Sequence, residues 1–155
     1  MISRHLELKI PPVLVTLFFA LFIWLVSLWL PGIFVPEQPK LIITVVLTSL
    51  GALIAVSGVV SFRLSRTTLN PTRPDASSLL VTTGIYKFTR NPMYLGLLFL
   101  LAAWSVSLSS MYGLVLCLVF VFYMNRFQIK PEERVLQSFF GAAFSEYKAR
   151  ARRWL

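Results

Sequence analysis

Only six acidic residues occur in this 155-residue chain, and two of them, Glu132 and Glu133, are adjacent. They directly follow Pro131, where carboxylates in the first turn of a helix complement its dipole. They also lie just beyond an apolar run, and a carboxylate near bilayer depth is costly unless it is paired or used. A second concentration of chemistry is Arg90-Asn91-Pro92-Met93-Tyr94. Asn91 is a good N-cap and Pro92 a good first helical residue, so this run opens a helix. Arg90 then anchors that helix at the headgroups, and Tyr94, one turn in, helps make a polar pocket at the membrane surface. Other chemistries lack their parts: there is no Ser-His-Asp arrangement, no HExxH and no phosphate-cradling glycine loop. Hydrolase, zinc-enzyme and ATPase readings therefore have no support. His5 stands alone near the N-terminus, and Cys117 lies inside an apolar run, where it reads as a packing residue.

The elements that position these residues are membrane helices. The chain is 57% hydrophobic and 14% charged, whereas soluble domains carry about a quarter charged residues. One domain is expected, solvated by lipid. Apolar runs predict four spans at about 13–30, 41–62, 93–108 and 112–127. Each approaches the ~20 residues needed to cross ~30 Å of hydrocarbon. Pro11-Pro12 and Pro31-Gly32 bracket the first, which is too long for the apolar core of a cleaved leader. The second carries a small-residue stripe, Gly51, Ala55 and Gly58, that admits a close neighbour either within the bundle or in a second chain. Residues 64–92 form a long connection with apolar content of its own, which marks a functional or packed segment. Residues 132–147 read as an amphipathic helix with Val135, Leu136, Phe139, Phe140, Ala143, Phe144 and Tyr147 on one face.

Charge placement predicts orientation. Of fifteen Lys and Arg residues, fourteen lie in the N-terminal segment, the stretch between the second and third spans (from Arg63 to Arg90) or the C-terminal tail, and Lys40 alone lies on the opposite side. Basic loops stay cytoplasmic, so both termini are expected inside, in a multi-pass protein of a bacterial inner membrane. The net charge of +9 faces anionic lipid headgroups through the basic tail rather than nucleic acid.

Two ordered motifs carry a resemblance. Leu80-Val81-Thr82-Thr83-Gly84-Ile85-Tyr86 leads into Arg90-Asn91-Pro92-Met93-Tyr94-Leu95-Gly96. One helix later, Glu132-Glu133-Arg134-Val135-Leu136 leads through Phe140-Gly141-Ala142-Ala143-Phe144 to Tyr147. Together they resemble the integral-membrane methyltransferase superfamily, over residues 70–150. It includes isoprenylcysteine carboxyl methyltransferases and phosphatidylethanolamine N-methyltransferases. The resemblance implies an all-α membrane enzyme that transfers a methyl group from S-adenosylmethionine to a lipid or lipidated acceptor at the cytoplasmic face. It implies cofactor contacts from Ser78, Leu79, Leu80, Val81, Tyr86, Asn91, Pro92, Met93, Tyr94 and Glu132. Glu132, Glu133 and Arg90 would be catalytic, with Gln128 and Arg126 on the substrate.

Two positions depart from the family pattern. Asn91 replaces a histidine, and Asn cannot titrate near neutral pH. Gln128 replaces the arginine that helps the carboxyl methyltransferases hold their substrate. A carboxylate acceptor benefits from such a cation, whereas an amine acceptor must lose a proton to a base. The reading carried forward is an isoprenylcysteine carboxyl methyltransferase-like enzyme. Its alternatives are a phospholipid amine N-methyltransferase and a non-catalytic protein that binds a lipid or partner.

Overall fold

The computed structural model describes residues 7–65 and 80–155. Their regular elements are helical: α1 (Pro12–Trp29), α2 (Glu37–Leu64), a 3-10 turn at Gly84–Lys87, α3 (Pro92–Ser107), α4 (Met111–Met124), a π-helical turn at Asn125–Ile129, and α5 (Lys130–Arg150). Ser78 and Leu79 lie outside the described residues, as do His5, Arg4, Arg66 and Arg73. The expected all-α architecture is observed.

Among the described residues three helical runs are long and apolar enough to cross a membrane: α1, α2, and the run that starts with α4 and continues into α5. The shorter α3 is apolar as well. α2 has 28 residues, about 42 Å of helix at the usual rise, which exceeds ~30 Å of hydrocarbon and calls for tilt. It begins a turn before the expected position 41, because Pro39 falls in its first turn, where no amide donor is needed. Large apolar side chains face outward along α1 (Leu17, Phe18, Leu21, Leu28), α2 (Leu41, Ile42, Val45, Leu53) and α4 (Val115, Leu118, Val119, Phe122). An outward apolar belt of this extent requires lipid, not water, as solvent.

The core joins α1, α3 and α4 through Val15, Phe19, Ile23, Leu101, Cys117, Phe120, Met124 and Ile129. α2 packs chiefly along the other side of α3, and the small-residue stripe explains how. A Cβ on Gly96 would lie 2.6 Å from the Gly51 carbonyl oxygen and 2.7 Å from the Ala55 Cβ. The stripe thus serves contact inside this chain: two helix backbones meet where neither carries a side chain.

At one end of the bundle, the α1–α2 connection meets the α3–α4 turn through Ile33 N–H donating to the Ser109 carbonyl. At the other end, Leu8 N–H donates to the Phe127 carbonyl and Arg90 N–H to the Arg152 carbonyl. The N-terminal segment, residues 80–91 and the tail therefore share one end.

The tail differs from expectation in two ways. No break separates the fourth apolar run from the tail helix; the π-helical turn at Asn125–Ile129 joins them. The tail helix is also bent rather than straight. Its 21 residues would extend about 31 Å if straight, and the four residues that follow reach only about 14 Å. Yet Trp154 Nε1 donates to Asn125 Oδ1 at 3.0 Å, so the helix must double back. It does so at Gly141 (φ 49°, ψ −119°), a conformation open essentially to glycine alone. Gln137 Nε2 braces the bend by donating to the Gly141 carbonyl at 2.8 Å and to Ser145 Oγ at 3.0 Å. The bend also narrows the amphipathic face. Leu136, Phe140, Phe144 and Tyr147 pack with Val81 and Tyr86, whereas Phe139 and Ala143 are exposed.

Candidate functional site at the shared end of the bundle

Three local features converge here. Gly84 (φ 61°) sits so close to α2 that a Cβ would meet Ser61 Oγ at 2.7 Å, which presses the 3-10 turn onto the α2 end. Tyr86, in that turn, stacks edge-on against Phe62 with centroids 5.3 Å apart. Its backbone carbonyl accepts a 2.8 Å hydrogen bond from the Tyr147 hydroxyl of the returning half of α5. α3 then starts at Pro92, which together with Met93 packs against Gly58 of α2. Asn91 precedes it without making a side-chain cap. Its Nδ2 donates instead to the Arg153 carbonyl at 2.9 Å, so the residue expected to cap α3 ties the chain's end to the helix start.

Glu132 and Glu133 are neighbours with opposite surroundings. Glu133 accepts from Arg90 Nη2 at 2.9 Å, and from Arg153 Nε at 3.0 Å and Nη2 at 2.6 Å. Burial pushes its carboxyl up, but the Arg153 and Arg90 guanidiniums outweigh that and hold it below the usual carboxylate range. Arg90 extends the network by donating through Nη1 to the carbonyls of Lys148 and Ala151 at 3.0 and 3.1 Å. Its Nε is buried without a partner among the described residues.

Glu132 faces the other way. Parts of the residue reach solvent, but its carboxyl lies deep among neighbours, and burial raises it above the usual range. A hydrogen bond from the Tyr94 hydroxyl to Oε2, 3.1 Å long, partly offsets this, while the Glu133 charge adds to the rise. Among the described residues no cation pairs with Glu132. Tyr86 lies close enough that burial first, and then the Glu132 charge, push its phenol up. The result is a carboxyl hydrogen-bonded by one phenol and close to a second, Tyr86, which itself packs in an apolar cluster with Val81, Phe144 and Tyr147. A buried charge of this kind is unfavourable until something positive joins it. A sulfonium fits: it is a cation with apolar substituents, favoured by a carboxylate and by aromatic faces.

Of the residues expected to act, Tyr94 hydrogen-bonds Glu132 and Tyr86 lies near it, Leu80 and Val81 pack with Tyr86, and Asn91, Pro92 and Met93 stand at the start of α3. Arg90 and Glu133 form an ion pair beside them. Gln128 is not brought to this cluster: it is buried and donates through Nε2 to the Ile10 carbonyl at 2.7 Å, anchoring the segment before α1. Arg126 lies outside the cluster as well, paired with Glu7 at 2.9 Å. The sequence presents Arg153 and Trp154 only as tail residues. No spacing signals their contacts with Glu133 and Asn125, because both depend on the bend at Gly141.

A family model described as phospholipid methyltransferase matches residues 39–143. That stretch is more than half of the chain, and it runs from α2 to the bend in α5. The chain belongs to the phospholipid methyltransferase family. An uncharacterized protein of Haemophilus influenzae is 41% identical over 63 residues, which are 41% of this chain and all of that protein. The protein-S-isoprenylcysteine O-methyltransferase of Saccharomyces cerevisiae is 34% identical over 80 residues, 50% of this chain and 32% of the yeast protein. The chain thus matches about a third of the yeast enzyme's length. No solved structure matches. Family and apolar helices agree on an integral membrane protein of the methyltransferase superfamily that spans the phospholipid and isoprenylcysteine types.

Proposed function

We propose that the protein is an S-adenosylmethionine-dependent methyltransferase acting on a lipid or lipidated acceptor at the cytoplasmic face of a bacterial inner membrane. The observation that carries this reading is the Glu132 carboxyl, hydrogen-bonded by the Tyr94 hydroxyl and near Tyr86, with no cation paired to it among the described residues. S-adenosylmethionine supplies an electrophilic methyl group on a positively charged sulfur. Glu132 balances that charge, while Tyr86 and Tyr94 offer aromatic faces. Leu80 and Val81 supply an apolar slot for adenine. Asn91, Pro92 and Met93 bound the slot at the start of α3. The buried, unpartnered Arg90 Nε is the kind of orphaned donor that an acceptor atom of a ligand would satisfy. The apolar surroundings exclude water, so hydrolysis does not compete and the reactants are held in line.

Orientation rests on the fourteen-to-one division of basic residues and on the meeting of the three basic segments at one end of the bundle.

The acceptor favoured by the geometry is an amine-bearing headgroup. An ammonium nitrogen has no lone pair until it loses its proton, and Glu132 can take that proton as methyl transfer consumes the sulfonium charge it balances. A carboxylate acceptor would need a cation to orient it. Gln128 stands where the carboxyl methyltransferases have that cation, and it is turned toward Ile10.

The test uses purified protein, cofactor labelled on the methyl group and a membrane lipid extract. Base-stable label in a lipid amine is expected. Base-labile label would indicate an ester and overturn the amine assignment. No label, together with no binding of S-adenosylhomocysteine, would overturn the enzyme reading.

A further inference from the structure

On the side of α5 away from the Glu132 cluster, a groove of about 520 Å3 is lined by Arg126, Lys130, Glu133, Arg134, Gln137, Lys148 and Arg153. Its walls are the two halves of the bent helix: the first half contributes Lys130, Arg134 and Gln137, and the returning half brings Lys148. Five cations therefore face one carboxylate. Glu7, from the segment before α1, pairs with both Arg126 and Arg134. Glu133 is already shared by Arg153 and Arg90. Even with both glutamates counted, positive charge remains in excess, and Lys130 and Lys148 make no ion pair with any described residue. Like charges converging on a concave surface repel one another and create a strong field for anions.

The surroundings of the groove indicate which anion. Val115, Leu118, Val119 and Phe122 form an exposed apolar stripe on α4, at helical spacing that leads to Arg126 one turn further on. Lys130 and Arg134 continue the line past the π-helical turn. A molecule lying against this stripe has its apolar chains on α4 and its polar end in the groove. We infer that the groove binds the phosphate of an anionic membrane phospholipid whose acyl chains lie along α4. The inference rests on this end of the bundle lying at the headgroups. It does not depend on methyl transfer, because the groove and the Glu132 cluster use different faces of α5.

The test is native mass spectrometry of the full chain, delipidated in a neutral detergent and titrated with phosphatidylglycerol. One tightly retained lipid per chain is expected, with diacylglycerol bound far more weakly. A basic residue near an anionic headgroup contributes about fivefold in affinity. Lys130→Gln with Lys148→Gln is accordingly expected to weaken retention about 25-fold. Replacing both lysines by Arg should preserve retention, and Lys40→Gln, at the opposite end, should not change it. Thermal unfolding checks that the exposed lysine substitutions leave the fold intact. Equal retention by wild type and the double Gln variant would overturn the assignment. So would equal binding of diacylglycerol. Competition by glycerol phosphate as effective as that of the lipid would assign the groove to a water-soluble phosphate and overturn the lipid reading.

Discussion

Glu132→Gln and Glu133→Gln, adjacent and chemically identical substitutions, are expected to change stability in opposite directions. Glu133 accepts three charge-assisted hydrogen bonds from Arg90 and Arg153. The Arg90 side chain is 11% exposed and that of Arg153 35%, so solvent screens the second pair more than the first. Removing the charge leaves Arg90 nearly buried and under-compensated, a loss of about 2–4 kcal/mol. Glu132 has a buried carboxyl, one phenol donor and no cation among the described residues. Glutamine keeps its shape and can still accept from Tyr94, so its substitution at pH 8 removes a desolvation cost and adds about 1–2 kcal/mol of stability. Cofactor affinity should fall about 10- to 100-fold in the same variant, because a charge contact of about 1.5–3 kcal/mol disappears.

The pH dependences have opposite signs as well. Glu133 has a lowered value in the folded state, so its contribution is present above the ordinary 4.5 and is lost as pH falls through the lowered value. Glu132 has a raised value, so its contribution is full below 4.5 and is lost as pH rises through the raised value. The advantage of Glu132→Gln should therefore grow with pH, and the deficit of Glu133→Gln should shrink in acid. Denaturant unfolding in detergent across this range, with calorimetric titration of S-adenosylmethionine, whose sulfur carries the charge that Glu132 would balance, measures both. If Glu132→Gln destabilises as much as Glu133→Gln, or binds the ligand as wild type does, Glu132 is not the uncompensated carboxyl that the cofactor assignment requires.

Other substitutions address the supporting elements. Tyr94→Phe removes the donor that opposes the rise at Glu132, so the pH midpoint of cofactor binding should move upward; an unchanged midpoint would detach Tyr94 from the site. Gly141→Ala meets no steric obstacle, yet its positive φ should cost about 1–3 kcal/mol and release Arg153 from Glu133, visible as increased amide exchange in residues 142–154. Gly96→Val drives a side chain into the Gly51 backbone and should cost about 3 kcal/mol or more by separating α2 from α3, read by denaturant unfolding.

Much of this protein is legible without coordinates. The apolar runs, the small-residue stripe and the proline at the opening of α3 each follow from local chemistry, so the helices fall close to their expected ranges, although Asn91 does not cap α3 as expected. The candidate cofactor residues are named through motifs whose members lie close together along the chain, and of these Tyr94 and Tyr86 come near Glu132 in space.

What the local pattern could not supply was the path of the tail and the division of labour it imposes. A periodic apolar face from 132 to 147 describes a straight helix as well as a bent one. Only the packing of Tyr147 on Tyr86 and of Trp154 on Asn125 selects the bent form, with Gly141 permitting it. The same bend delivers Arg153 to Glu133 and leaves Glu132 alone among phenols. By sequence alone the two glutamates are a pair of equals at a helix start. They become one carboxylate paired with two arginines and one without a cation because residues as far apart as Asn91 and Arg153 meet at the start of α3, and electrostatic environment depends on such neighbours rather than on position in the chain.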